Sequence, residues 1–364
     1  MMVSQTEGRF LTLHEYVKAA RNRLSPDIWD YLVGGTETET TLRRNRLALD
    51  SIAFRPRVLR DVSAIDARVD FLGRKIRLPV ALAPIGSLQS LSPAGAAGAA
   101  RAAAAFGVPV ITSSVTPQPV LDDVAKAGGQ RVFQLYVRGD QAWQDKQVKR
   151  AEDDGYAMFC ITVDTAIYSR RERDIAKRFV KPWRADVPGM QFQAALNWSH
   201  VAHYKKHHKL PLVLKGIATA EDAVMAVEHG VDVIYVSNHG GRQLDHGRGS
   251  IEVLPEVLEA VAGRAKVWVD GGFSRGSDVV KAIALGADLV GLGRLYGYGL
   301  AADGEAGIEG VLELLEDEVI SVLGLLGVTG FAALGKEMLH AAAPTVLPGV
   351  HSSFPLLNLA DPGY

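Results

Sequence analysis

A single cysteine in 364 residues rules out an intrachain disulfide. Cys160 lies within the apolar run Met158 to Val163, where a small thiol packs like a hydrocarbon side chain, so the chain reads as a cytoplasmic protein of a reducing compartment. A basic surplus is also missing. Forty Lys and Arg face 41 Asp and Glu, giving a formal charge of -1; with no counterion release to drive it, nucleic acid is excluded as the main partner. Met1 to Ala20 carries Glu7, Arg9, His14, Glu15 and Lys18 and so lacks the apolar centre of a signal peptide. The charge-free segment Val319 to Leu334 is short for a membrane span and is interrupted by Gly324, Gly327 and Gly330, which predicts a buried closing helix and loop. There is no GxGxxG on a first strand-helix turn, no solenoid repeat and no low-complexity tract. Lys205 to Lys209 reads as a solvated loop face rather than a metal site or membrane patch.

What is present suits a large buried core: 48% of residues are hydrophobic and 22% charged. Helical patterns come first. Thr12 is placed to cap Leu13 to Leu24, and Ser25-Pro26 starts a second helix carrying Ile28, Trp29, Tyr31 and Leu32. From Leu78 onward, short apolar strands alternate with helix-period runs. The strands are Val80–Ala83, Val108–Thr112, Arg131–Leu135, Met158–Val163, Pro211–Leu214, Val231–Val236, Lys266–Val269 and Ala287–Leu292. Eight strands separated by helices predict a closed (β/α)8 TIM barrel, a single domain over 1–364 with an N-terminal helical extension over 1–77. The irregular stretch 181–209 is long for a connector and is expected to form a lid.

In such a barrel the chemistry gathers at the C-terminal strand ends. These ends supply Pro84 to Gly86, Ser113, Gln134 and Tyr136, Thr162 and Asp164, Lys215, Ser237 with His239 and Arg242, Asp270-Gly271-Gly272, and Gly293-Arg294. His239, on a glycine turn after a buried strand, reads either as part of a helix cap or as a base that Asp164 could orient. Lys215, ending an apolar strand, needs an anionic partner or a lost proton; it suits a Schiff base or a cation beside a cofactor ring. Gly271, Gly272, Gly293 and Arg294 suit a phosphate. Arg242 and Arg171 offer forks matched to a carboxylate, although the charge run Arg170 to Asp174 by itself reads as ion-paired surface.

The stretch Ser237 to Gln243, with Lys215 before it and Asp270 to Gly272 after it, closely resembles the FMN-dependent 2-hydroxy acid oxidases and dehydrogenases, from about Leu11 to about Leu326. The resemblance implies FMN as cofactor and oxidation of an L-2-hydroxy acid to the 2-oxo acid, with the reduced flavin reoxidised by O2 or another acceptor. It implies that His239 is the base and Asp164 its partner. Arg242 and Arg171 would bind the substrate carboxylate, and Tyr31 and Tyr136 would hydrogen-bond the substrate. Lys215 would stand by the flavin N1/O2 edge, with Pro84, Ile85 and Gly86 beside the ring. Ser113, Gln134, Thr162 and Ser237 would bond the ring or ribityl chain, while Asp270, Gly271, Gly272, Arg275, Gly293 and Arg294 would hold ribityl and phosphate. His239 would take either the C2 proton or the hydroxyl proton. A homo-oligomer, tetramer or octamer, is implied as well. Departures from the pattern include Val115 in place of a tryptophan of plant-type oxidases, Ser274 in place of a common arginine, and Ala166 in place of a proline; they lean towards a medium or bulky acid. The competing readings are an FMN-barrel isomerase and a non-catalytic carboxylate-binding barrel.

Overall fold

The computed structural model describes residues 10–180 and 188–358. Its helices are α1 Leu13–Arg23, α2 Pro26–Val33, α3 Thr40–Asp50, α4 Gly95–Phe106, α5 Gln118–Lys126, α6 Gln141–Asp153, α7 Glu172–Ala176, α8 Met190–Ala194, α9 Trp198–His207, α10 Ala220–Glu228, α11 Ser250–Val261, α12 Gly276–Leu285 and α13 Arg294–Leu325. Its strands are β1 Ile52–Phe54, β2 Val69–Phe71, β3 Arg74–Ile76, β4 Val80–Leu82, β5 Val110–Ser113, β6 Arg131–Leu135, β7 Met158–Thr162, β8 Leu212–Ile217, β9 Val233–Val236, β10 Lys266–Val269, β11 Leu289–Leu292 and β12 Leu339–Ala341.

Strands β4 to β11 close a parallel barrel, with β11 returning to β4. The eight expected strands are these eight, with ends shifted by up to three residues. Residues on the outer strand faces pack against α4, α10, α11 and α12 in one large apolar cluster, and a second cluster fills the barrel interior. Polar residues at the helix starts explain several boundaries. Thr12 and Glu15 bond reciprocally at the head of α1: the Glu15 N–H donates to Thr12 Oγ1 and the Thr12 N–H to Glu15 Oε2.

Two expectations need correction. The extension over 1–77 is helical only as far as Asp50, within the described residues. Beyond it, β1 pairs with β12, and β2 and β3 form a hairpin whose Leu72-Gly73 turn has positive φ at both positions, 50° and 75°. Phe71 and Ile76 of this hairpin join the interior cluster and so plug one end of the barrel. The stretch 181–209 is also not irregular where it is described: α8 and α9 occupy most of it, while 181–187 lie outside the described residues. Buried Val201 and Tyr204, three residues apart, suffice to seat α9 against the core despite its Lys- and His-rich end. The closing helix α13 begins at Arg294, well before Val319, and is broken at Asp303-Gly304. No helix among the described residues is long and apolar enough to cross a membrane.

Candidate active site

Strand side chains alternate with period two, so each barrel strand that points one residue inward points the next-but-one inward as well. Ala81, Ile111, Val132, Cys160, Val213, Tyr235, Trp268 and Leu289 form an apolar interior layer. Burial pushes the Cys160 thiol up to about 12, so it is a packing residue rather than a nucleophile. Two residues further along each strand come Ala83, Ser113, Gln134, Thr162, Lys215, Ser237, Asp270 and Gly291. Six of these eight are polar, and all six are buried. The mouth therefore has a polar floor laid directly on an apolar stopper.

Part of this floor is satisfied internally. Lys215 Nζ donates to Ser237 Oγ at 2.8 Å and lies 3.1 Å from Asp270 Oδ2; Ser237 Oγ in turn donates to Asp270 Oδ1 at 2.5 Å. Burial alone would discharge Lys215, but Asp270 and Asp164 outweigh it and keep the ammonium charged. A charged lysine cannot attack a carbonyl, so the Schiff-base reading falls away. Gln134 Nε2 donates to Thr162 Oγ1 at 2.8 Å. Gln134 Oε1 and Ser113 Oγ, by contrast, are buried with no hydrogen-bond partner among the described residues. Leaving each unpaired costs roughly 1–3 kcal/mol, so they fit a bound ring that offers donors and acceptors.

Above the floor stands His239. Its Nδ1 is 3.2 Å from Asp164 Oδ1 and its Nε2 is 3.3 Å from the Tyr136 hydroxyl. Its φ of 59° is left-handed, a conformation costing a non-glycine residue roughly 1–3 kcal/mol. The His239 N–H donates to Ser237 Oγ at 3.1 Å, which helps hold the strained turn. Burial disfavours charge on both partners. Asp164 nevertheless stays a carboxylate, because His239 and Lys215 lower its pKa. On His239, burial together with Lys215 and Arg171 outweighs Asp164 and holds the imidazole below its ordinary value. With Nδ1–H directed at Asp164, neutral His239 leaves an Nε2 lone pair facing the cavity, ready for a proton. Gly216 makes the pairing possible: at φ 118°, it lies in the β8–β9 irregularity, and a Cβ there would meet Asp164 Cβ at 2.7 Å.

Arg242 Nη1 donates to the Gly34 carbonyl at 2.7 Å, and its guanidinium lies 5.2 Å over the Tyr31 ring. Burial first, then Arg171 and Arg294, pull Arg242 down to about 9. A buried cation opposed by two other cations is relieved by an anionic ligand. Arg171 lines the same cavity, so at that position the charge run is not ion-paired surface alone. The Tyr31 hydroxyl donates to the Gly86 carbonyl at 2.6 Å, which ties α2 to the mouth. Pro84, Ile85, Gly86, Val115, Tyr136, Gly271, Gly272 and Gly293 join the lining of a cavity holding about 1110 Å³ of open space, mouth included.

Two expected phosphate ligands are engaged elsewhere. Arg275 pairs with Glu318 and donates to the Ser353 carbonyl at 3.1 Å, and Arg294 donates to the Gly240 and Gly34 carbonyls at 2.9 and 2.8 Å. Arg294 still lines the cavity and its Nε has no partner among the described residues; Arg275 is not in the lining. The sequence reading missed Asn45 and Arg46 of α3. Asn45 exchanges hydrogen bonds with Asn238 at 3.0 and 2.7 Å, and Arg46 bonds Asp278 and the Gly272 carbonyl, so α3 braces both glycine turns. Their signal was the buried helix-period set Thr41, Leu42, Asn45, Arg46, Leu49, in which two polar residues occupy core positions.

The model of the FMN-dependent dehydrogenase family matches residues 20–341 of this chain. Glycolate oxidase 1 of Oryza sativa subsp. indica is 39% identical over 359 residues, 92% of this chain and 97% of the relative. L-lactate oxidase of a Nostoc species is 36% identical over 358 residues, 91% of this chain and 98% of the relative. Among solved structures, a mandelate oxidase mutant with a C4a-OH-FMN adduct superposes with a TM-score of 0.83 at 40% identity, covering 91% of this chain and all of that one.

Proposed function

The chain belongs to the FMN-dependent dehydrogenase family, and from that premise we propose how its residues divide the labour of oxidising a 2-hydroxy acid to the 2-oxo acid with FMN. One observation carries the assignment: an Asp164-backed His239 faces the same cavity as the Arg242 and Arg171 guanidiniums, over a polar floor with groups unpaired among the described residues.

The substrate carboxylate binds Arg242 and Arg171, which fixes C2 and its hydroxyl towards His239 Nε2 and the Tyr136 hydroxyl. Tyr31 completes this polar wall. His239 takes a proton from the C2–OH unit, and Asp164 stabilises the imidazolium that results. When bound, FMN supplies the two-electron acceptor. Ser113, Gln134, Thr162 and Ser237 would hold its ring and ribityl chain, Pro84 to Gly86 would flank the ring, and Lys215 would present positive charge to it. Asp270, by its bonds to Lys215 and Ser237, positions both. Gly271, Gly272, Gly293 and Arg294 would receive the phosphate, with Arg275 bracing that end through Glu318.

The acid is an L-2-hydroxy acid of medium or larger size. Val115 is a small residue in the cavity wall, which leaves space for an apolar substituent. The lid role of 181–209, reoxidation by O2 or another acceptor, cytoplasmic residence and a tetrameric or octameric assembly are further parts of the proposal. Assembly draws support from exposed Val58, Leu59 and Leu325 on neighbouring segments joined by the Arg57–Leu326 backbone bond. The deciding experiment mixes the yellow protein anaerobically with a panel of L-2-hydroxy acids. Bleaching of the flavin by one or more acids is expected, faster for bulky than for two-carbon acids; a flavin that no acid bleaches overturns the assignment. Repeating the turnover in air and with an artificial acceptor separates oxidase from dehydrogenase.

A further inference from the structure

Away from the mouth, the outer helix layer brings together two imidazoles and a carboxylate that the oxidation does not use. Asp145 lies on α6, His203 on α9, and His208 caps the end of α9. None of the three lines the active-site cavity. We infer that Asp145, His203 and His208 form a binding site for a divalent transition-metal ion of the Zn2+ type.

The geometry is the first support. Both imidazoles present the same ring nitrogen to one carboxylate oxygen: His203 Nε2 is 3.1 Å and His208 Nε2 2.8 Å from Asp145 Oδ1. One ligand atom from each residue falls within 4.8 Å of the others. Bonds of about 2.0–2.1 Å in a tetrahedral zinc site set ligand atoms roughly 3.3 Å apart, so only small side-chain adjustments are needed. The two imidazoles favour zinc and its neighbours over Mg2+ or Ca2+, which are held by oxygen ligands, and the carboxylate is an accepted zinc ligand beside them.

Preorganisation is the second. The His208 N–H donates to the Tyr204 carbonyl at 2.9 Å, and its ring packs 5.1 Å from that of Tyr204. Tyr204 is itself fixed, stacked 5.6 Å from Phe159 of β7 with its hydroxyl donating to the Leu210 carbonyl at 3.0 Å. His203 lies against His207 with ring centres 4.3 Å apart. His208 is 11% exposed, His203 29% and Asp145 37%, so the cluster is walled on one side and open to entering ions on the other.

A metal here would staple α6 to α9. The segment before α9 carries Gln193, whose side chain accepts from the Val137 N–H at 2.6 Å and donates to the Thr162 carbonyl at 2.9 Å, beside the mouth. The ion would therefore stiffen the wall that covers β6 and β7.

The test uses FMN-loaded, tag-free protein stripped with a chelator and titrated with ZnCl2 by calorimetry. The wild type should bind one equivalent and gain thermal stability with it. His203→Ala/His208→Ala should weaken that equivalent by about tenfold or more, with the turnover of zinc-free protein unchanged. His208→Gln, judged folded by its flavin spectrum, should show the same loss if the double variant does not fold. His239→Gln should retain the equivalent, which locates it outside the mouth. No stoichiometric binding by the wild type, or equal affinity in the His203 and His208 variants, overturns the site.

Discussion

Two layers of one barrel, two residues apart on the same strands, behave in opposite ways. The inner layer of Ile111, Val132, Cys160, Val213, Tyr235 and Trp268 is an apolar stopper. The outer layer of Ser113, Gln134, Thr162, Lys215, Ser237 and Asp270 is just as inaccessible to water, yet almost wholly polar. Burial by itself therefore does not separate core from site. The difference is that part of the outer layer finds its partners within the protein while the rest, Ser113 Oγ and Gln134 Oε1, is left for a ligand to satisfy.

The contrast breaks most sharply at the residue standing over the outer layer. Replacing His239 with Gln should slow anaerobic flavin reduction by about 10²–10⁴-fold while the protein stays yellow. Near-normal bleaching of that variant by the best acid would remove His239 from the proton transfer. The inner layer should respond in the other currency. Met158 is fully buried in the same interior cluster, two residues before Cys160 on β7, so Met158→Ala should cost roughly 2–5 kcal/mol of stability by thermal or urea unfolding, with flavin reduction within a few-fold of normal. A variant that unfolds like the wild type but reduces its flavin poorly would show that the layers are not independent. The smallest effect is a shift in pH dependence. A base is active above its pKa and is lost as pH falls through it, and the His239 imidazole is held below its ordinary value. The acid limb of kcat/KM should lie below about pH 6.5, and Asp164→Asn, which removes the group raising that pKa, should move the limb lower while reducing the rate. A limb that moves upward in the Asn variant would contradict the pairing.

Much of this was legible in the chain because barrel strands advertise themselves as short β-branched runs. His239, Asp164, Lys215 and Arg242 could be referred to strand ends before any coordinates. Tyr31 could not, since it lies in an ordinary amphipathic helix and only resemblance marked it, while Arg171 was legible as a fork for a carboxylate but competed with the ion-paired surface reading of its charge run. The hairpin at Leu72-Gly73 escaped because Leu with positive φ is not a turn signal. Asn45 and Arg46 escaped because their partners, Asn238 and Asp278, are about two hundred residues away. Sequence patterns report neighbours along a strand or helix turn and are silent about distant pairs. The same silence made the His203 and His208 region look like a loop face, since Asp145 belongs to another helix.

The Gly34 carbonyl at the end of α2 receives both Arg242 and Arg294, partners 208 and 260 residues further along the chain. During synthesis α2 leaves the ribosome early, then must wait for most of the barrel to be made before its acceptor is claimed. This double anchorage of α2 is accordingly among the last contacts a nascent chain can assemble. A truncated or stalled chain would carry Tyr31 and the first strands but neither guanidinium, so the end of α2 is anchored only when the ring of strands is complete.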